Sequence, residues 1–480
     1  MPRSEAFGNT LIETAGRTLA VSAREYGQVA RIPLPVRLKH TIGLDRAIGF
    51  TVLARGWNTL AGVVTVLLIA RFLTPAAQGY YYTFASLVAL QIVFELGFSF
   101  VILQSASHER AHLTISSTYV ISGDPVAHGR LASVIQKAVR WYSVAAILMV
   151  ATLVPVGLWF FATHQRAAAE PVLWRFPWLF TAFAAALNFQ LDPILSFFEG
   201  CGFVANVARV RFAQAITGSL FAWIALVAHH GLFAPAMAMG GMALTTLVWL
   251  VDKRRFLLGL LRYRPGPHRI RWKAEIWPFQ WRIAISWMCG YFIFQLFSPV
   301  LFAFKGPVAA GQMGMSLSLA TALQGLAISW ISTKSAPFGS MVARKEYAKL
   351  DDVFFRTLKQ SMAVHILGAL AAWLCLLCMN HAHIHLSQRL LSPLAFAFLL
   401  AATNVNTAVF AEALYLRAHK QEKFLLNSVF TALLTGSSTY ILGQHYGAMG
   451  MVVGYLTVSL GFSLGAGTYT FAKYRRIWHA

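Results

Sequence analysis

The stretch KRRFLLGLLRYRPGPHRIRWKAEIW, Lys253 to Trp277, is the longest strongly basic interruption between the apolar runs of this chain, and it lies near the middle. Before it come apolar runs at about 48–70, 79–104, 141–163, 172–198, 210–230 and 231–251; after it come 283–304, 308–333, 357–379, 390–416, 424–443 and 447–472. Each approaches or exceeds the roughly 20 residues that cross a hydrocarbon layer of about 30 Å. The 480 residues are 57% hydrophobic and 12% charged, with a mean hydropathy of +0.59. Soluble domains carry about 25% charged residues, so a single soluble globule is excluded. The pattern predicts an all-α polytopic membrane protein of about twelve transmembrane helices in two six-helix bundles.

The 40 Lys and Arg against 17 Asp and Glu are a topology signal before they are anything else. On alternate loops 34 of the 40 fall on one side and five on the other, with Arg55 inside a span. The positive-inside rule then puts both termini in the cytoplasm, and the basic surface needs anionic lipid headgroups but no nucleic acid to explain it. The expected divisions are a basic cytoplasmic tail over 1–47, an N-lobe over 48–252, a basic linker over 253–275, a C-lobe over 276–472 and a short tail over 473–480. The tail lacks the apolar core and cleavage site of a secretory signal. Cys201, Cys289, Cys375 and Cys378 all lie in or beside apolar runs and are expected to pack as small hydrophobes.

An internal echo supports the division in two. Pro75-Ala76-Ala77-Gln78-Gly79 opens the second span and Pro307-Val308-Ala309-Ala310-Gly311 the eighth, an offset of 232 residues that recurs in Ser86-Leu87 and Ser318-Leu319. Six spans is an even number, so both units enter the membrane from the same side. They are expected to be related by a pseudo-twofold axis along the membrane normal, with a cavity between them, which is a transporter plan.

Ala70-Arg71-Phe72-Leu73-Thr74-Pro75 with Gly79 beyond it resembles the first periplasmic corner of bacterial polysaccharide and O-antigen flippases, members of the multidrug, oligosaccharidyl-lipid and polysaccharide exporter superfamily. Leu414-Tyr415-Leu416-Arg417-Ala418-His419-Lys420 and Tyr446-Gly447-Ala448-Met449-Gly450 are similar in type and order. The resemblance covers about residues 48–472. It implies a flippase of the bacterial inner membrane that moves undecaprenyl-pyrophosphate-linked oligosaccharide from the cytoplasmic to the periplasmic leaflet by alternating access, in lipopolysaccharide or polysaccharide biosynthesis. It further implies no organic cofactor, coupling to H+ or Na+, contact with membrane lipids, and a polysaccharide polymerase complex as a partner. There is no G-x-x-x-x-G-K-[ST] phosphate loop.

Ionisable groups inside spans cost about 2.5–3.5 kcal/mol each at a helix centre on insertion scales, which makes them functional candidates. Arg55, Glu95, Asp192, His365 and Glu412 stand out. Helical spacing puts Gln91, Glu95 and Ser99 on one face, Asn188, Asp192 and Glu199 on another, and Asn404 and Glu412 on a third. Arg55 is the candidate for the pyrophosphate, because guanidinium makes paired, charge-assisted bonds to phosphate. Arg282 is its counterpart near the seventh span, and Gln91, Asn188 and Asn404 are candidate substrate contacts. The competing reading pairs Arg55 with Glu95 or Asp192, or lets it snorkel to the headgroups. Glu95, Asp192 and Glu412 are candidate ion-coupling sites, against structural pairing at helix interfaces. Pro193 is expected to break the fourth span, and Glu199 and Arg282 to sit at the membrane surface.

Three further patterns weigh less. His108-Glu109-Arg110-Ala111-His112 matches a zinc-protease motif without a third ligand, the alternating His381, His383 and His385 read as a solvated loop, and Cys375-x-x-Cys378 reads as packing. Gly450 and Gly454, and Gly461 and Gly465, are spaced for close helix approach. Tyr80, Tyr81 and Tyr82 read as an interfacial belt, with sugar stacking as the alternative. An exporter of small cationic compounds is the second functional reading. A membrane glycan-assembly enzyme falls behind it for want of a long periplasmic loop to hold an active site, so the chain is not expected to be an enzyme.

Overall fold

A computed structural model describes residues 46–116, 119–164, 171–272, 275, 277–419 and 421–479; the expected tail lies outside them up to residue 45. Among the described residues, nine helices are long and apolar enough to cross a bilayer, and eleven when each of two bent pairs counts as one span. The first bent pair, Pro75–Glu95 with Phe98–Arg110, turns by 44°, and the second, Ala284–Phe294 with Phe297–Lys305, by 40°.

In chain order the N-terminal half contains α1 (Arg46–Phe72), α2 (Pro75–Val88), α3 (Ile92–Glu95), α4 (Phe98–Arg110), α5 (Pro125–His164), α6 (Arg175–Gly200), α7 (Val204–Val227) and α8 (Ala234–Arg262). The C-terminal half contains α9 (Trp277–Phe294), α10 (Phe297–Lys305), α11 (Pro307–Ser332), α12 (Ser335–Ala343), α13 (Tyr347–His381), α14 (Pro393–Arg417), α15 (Leu425–Val458) and, after a π-helical turn at Ser459–Leu464, α16 (Gly465–His479). The last 55 residues hold two passes. Gly447 leaves the helical region at φ 63°, ψ −146°. A Cβ on Gly454 would strike the side chains of Ser438 and Leu442. A straight helix with a rise of about 1.5 Å per residue would carry Gly454 about 24 Å beyond Ser438, so the chain doubles back at Gly447. Twelve passes result among the described residues. Gly450 and Gly454 serve the close approach inside this hairpin, whereas nothing lies within 4 Å of a Cβ placed on Gly461 or Gly465.

The internal echo is realised as a seam. Thr74 caps α2, its hydroxyl accepting from Ala77 N at 3.2 Å, and Pro75 and Pro307 stand in the first turns of α2 and α11, where a missing N–H costs nothing. The two helices lie side by side. A Cβ on Gly79 would collide with the Pro307 carbonyl, one on Gly311 would sit 2.9 Å from Gly79 N, and one on Gly314 would run into Tyr82. Gly79 and Gly311, and Tyr82 and Gly314, are related by the same 232-residue offset. Residues that touch their own counterparts lie beside a twofold axis, so the pseudo-axis between the lobes runs along this seam. Tyr80 seals it, buried against Phe161, Trp174 and, from the C-lobe, Phe302 at 4.8 Å between ring centroids. Tyr80 and Tyr82 are therefore interior residues and neither an interfacial belt nor a sugar platform, because the lobe contact covers what one helix alone would expose.

At the opposite end, which carries the basic loops, helices outrun the apolar layer. The 40-residue α5 spans about 60 Å at 1.5 Å per residue, twice the hydrocarbon thickness. The basic linker lies on its extension. Lys253 to Arg262 continue α8, and beyond them Gln136 Nε2 donates to the carbonyls of Leu260 and Tyr263 at 2.9 and 2.7 Å. Ser133 Oγ accepts from Ile270 N at 3.1 Å, and Arg130 holds both Glu109 of α4, at 2.8 Å, and Glu275, at 2.6 Å. A short antiparallel ladder, β1 (Leu113–Ile115) on β2 (Ile121–Gly123), closes the α4–α5 turn.

Two local expectations are corrected. The fourth span is unbroken: α6 runs through Pro193, which removes one N–H from a helix packed on both sides of it. The break falls in the second span, where Leu96 (φ 51°) and Gly97 (φ 66°) are both left-handed, a conformation no right-handed helix can absorb. Of the cysteines, Cys201 and Cys289 are buried but Cys375 and Cys378 lie exposed on α13. A lipid-facing helix surface is as apolar as a core, so hydropathy alone does not separate the two.

Candidate functional site: the inter-lobe cavity

α1 is fastened to the N-lobe by tryptophans. Trp57 Nε1 donates to Ser219 Oγ at 3.0 Å and to Ala215 O at 3.1 Å on α7, and Trp223 Nε1 donates to Thr65 Oγ1 at 2.8 Å. With Trp57 turned to α7, Arg55, two positions earlier and about 200° round the helix, must point away from it. It points to the C-lobe. A cavity of about 930 Å³ separates the basic-end half of α1 from the corresponding half of α11. Arg55, Asn58 and Thr59 line one wall, and Ser329, Ser332 and Thr333 the other, among apolar residues such as Leu60, Leu326 and Trp330. Arg55 is exposed to this space, and its guanidinium has neither hydrogen bond nor ion pair among the described residues. The lining contains no carboxylate. Pairing of Arg55 with Glu95 or Asp192 is therefore absent among the described residues.

The proline end of the same helices is shut. Gln78, 1% exposed, donates through Nε2 to Gly311 O at 2.8 Å and to Arg389 O at 3.1 Å, tying the N-lobe to two segments of the C-lobe. Its Oε1 takes the Arg389 guanidinium at 3.5 Å, and burial lowers that guanidinium from its ordinary value. Gln312 donates to Gln388 O at 2.9 Å on the same loop. The signal for Gln78 is present in the sequence: an amide beside a glycine in the first turn of an apolar helix.

The carboxylates stand elsewhere. Glu95 ends α3 at the break, within electrostatic reach of Asp192 and beside Ser99, whose hydroxyl meets the Tyr142 hydroxyl at 2.9 Å. The break spoils the continuous stripe from Gln91 to Ser99 but keeps Glu95 and Ser99 together. Neither Glu95 nor Asp192 has a basic partner among the described residues. Asn188 and Gln91 are half-buried, and neither lines the central cavity. Glu199 pairs with Arg211 at 3.4 Å. On α14, Glu412 Oε1 accepts from Thr468 at 2.8 Å, while its Oε2 and Asn404 Nδ2 are buried without partners among the described residues. His365 is a satisfied core residue, 2.8 Å from Thr407 Oγ1. The Arg282 side chain lies outside the described ones. Of the predicted substrate contacts, then, only Arg55 lines the cavity among the described side chains; Asn58, Ser329, Ser332 and Thr333 join it, ordinary polar residues that no spacing rule distinguishes.

Glu109 of the zinc-like motif is occupied by Arg130 and not by a metal set, and among the described residues no three His, Cys, Asp or Glu side chains converge.

With this geometry established, the resemblance to solved structures is informative. The MATE multidrug transporter DinF-BH aligns over 91% of this chain and 96% of its own at 12% identity, with a TM-score of 0.60. The lipid II flippase MurJ in an inward closed conformation aligns over 89% of this chain and 90% of its own at 12% identity, TM-score 0.57. An inward-facing multidrug resistance MATE family transporter of the MOP superfamily covers 89% and 99% at 12% identity, TM-score 0.54. No family model matches the chain, and no curated protein matches it. The protein thus has the two-lobe, helical fold of these transporters.

Proposed function

We propose that the protein flips an anionic lipid-linked oligosaccharide, of the undecaprenyl-pyrophosphate class, between membrane leaflets by alternating access of its two lobes. The observation that carries this reading is Arg55, unpaired among the described residues, in an inter-lobe cavity whose described lining holds hydroxyls, an amide and apolar walls but no carboxylate. A pyrophosphate needs the guanidinium, sugars need the hydroxyls and amide, and a polyprenyl chain needs the apolar wall. With the basic end in the cytoplasm, as the charge bias favours, the cavity opens to the leaflet where such lipids would be loaded. The acid cluster of Glu95 and Asp192, and separately Glu412, would carry the coupling proton or sodium ion, since each lacks a cationic partner among the described residues.

The test is a leaflet-specific assay of undecaprenyl-linked oligosaccharide in cells depleted of the protein, with wild type or Arg55→Ala restored. Accumulation on the cytoplasmic leaflet, relieved by wild type alone, is expected. Normal translocation without the protein would sink the reading. Export of organic cations is the second reading, favoured by the Glu95–Asp192 pair; it requires efflux that survives Arg55→Ala and fails in Glu95→Gln.

A further inference from the structure

Beside the central cavity the C-lobe contains a second space of about 420 Å³, within the range of about 300–1,000 Å³ typical of small-molecule pockets. It is enclosed by α9, α11, α14, α15 and the π-helical turn, and Ile328 lines both spaces, so the recess adjoins the inter-lobe cavity. Its wall mixes Trp287 and Phe410 with the amides of Gln324, Asn406 and Asn427, the hydroxyl of Thr431 and Arg417, whose guanidinium is held by Glu422 at 2.7 Å. Asn427 and Thr431 are one helical turn apart on α15, 7% and 3% exposed, and Asn427 Oδ1 and Thr431 Oγ1 have no partner among the described residues. Asn427 Nδ2 is already committed to Ser463 O at 3.2 Å, which fixes the amide so that its oxygen is the free atom.

Buried polar atoms are nearly always satisfied, so two orphaned oxygens one helical turn apart in one recess indicate a missing donor. The donor must be larger than an ion, because the space greatly exceeds what a bare cation coordinated at about 2.3–2.6 Å would fill. A ring bearing several hydroxyls fits: its O–H groups donate to the oxygens and its C–H face lies on the aromatic wall. We propose that the C-lobe recess is a sugar subsite, separate from Arg55, that holds a neutral unit of the glycan while the lipid headgroup occupies the central cavity. This rests on the lipid-linked oligosaccharide reading, and the experiment separates the two.

The measurement uses the full chain in nanodiscs, a panel of neutral, lipid-free oligosaccharides including N-acetylhexosamine-containing ones, sugar-free undecaprenyl pyrophosphate and radioactive sodium. Thr431→Val replaces the orphaned hydroxyl by a methyl of the same shape and is not expected to disturb folding; Asn427→Leu is the stronger variant. Wild type is expected to bind at least one saccharide with quenching of Trp287, a response lost in Trp287→Phe. Binding should weaken about tenfold in Thr431→Val and vanish in Asn427→Leu, while undecaprenyl pyrophosphate binds all of them alike. Saccharide binding indifferent to both variants, no binding across the panel, or sodium binding that Thr431→Val abolishes would each overturn the subsite. Saccharide binding without any Arg55-dependent binding of undecaprenyl pyrophosphate would leave the subsite standing and remove the lipid-linked reading instead.

Discussion

The two ends of α11 behave as if they belonged to different proteins. At Pro307 to Ser316 it is packed against α2 so closely that Gly79 and Gly311 meet backbone to backbone, with Gln78 bonded across the join. From Ala322 to Ser332 the same helix lines a cavity of about 930 Å³ and faces an arginine without a counterion among the described residues. One end is dry and self-complementary, the other open and chemically unfinished. A helix that is a lock at one end and a wall at the other is what alternating access requires, since closing the second end means parting the first.

Breaking the locked end should have the largest effect. Gly79→Val places a branched side chain on the Pro307 carbonyl; overpacking of this kind costs about 1–3 kcal/mol and falls wholly on the closed seam. Transport is expected to drop to background, and spin labels introduced at Ala85 and Val308 should report a longer distance. An unchanged distance would mean the seam is not the gate. Next comes the open end: Arg55→Ala should weaken binding of undecaprenyl pyrophosphate about 10- to 100-fold, as expected for charge-assisted bonds of about 1.5–3 kcal/mol, without moving the labels. A change at both ends would show that Arg55 also holds the lobes.

Gln78→Leu sharpens the picture. It removes the inter-lobe bonds but leaves the glycine contact, so the labels should separate less often than in Gly79→Val, by the roughly 1–3 kcal/mol that orphaned carbonyls cost. The smallest effect belongs to the linker clasp. The Arg130 guanidinium beside Glu275 holds that carboxyl below its ordinary value of 4.5. A depressed carboxylate stabilises the folded state above its unfolded value and loses that contribution as pH falls through its folded value. The mobility of a spin label placed at Arg269 should therefore stay low at neutral pH and rise only below about 4.5, whereas in Glu275→Gln it should be higher at neutral pH and flat with pH. Equal mobility in both proteins would mean that Ser133 and Gln136 hold the linker without Glu275.

Much of this was legible in the chain. Hydropathy gave the passes, and the 232-residue echo proved to be the seam itself, because proline and glycine mark helix starts and close approaches by backbone geometry that is local. The corner at Gly447 is legible from its glycine in the same way. The site was legible only where a residue is costly by itself: Arg55 in an apolar run announces itself, and it does line the cavity. Asn58, Ser329 and Thr333 do not, since a hydroxyl or amide in a helix has a place to go whether it faces lipid, a neighbour or water.

The amino-acid sequence by itself determined that the protein crosses the membrane many times, that it is built twice over, and which few residues are costly to place there, because burial of charge and the length of an apolar run are properties of a segment. Only the tertiary structure decided which side of each helix meets a partner. It turned Tyr80 into the seam, Cys375 outward and Glu109 onto Arg130, kept α6 whole through Pro193 and moved the break to Leu96 and Gly97. In a membrane protein the outside and the inside of a bundle are equally apolar, so the distinction between them exists only once the helices have packed.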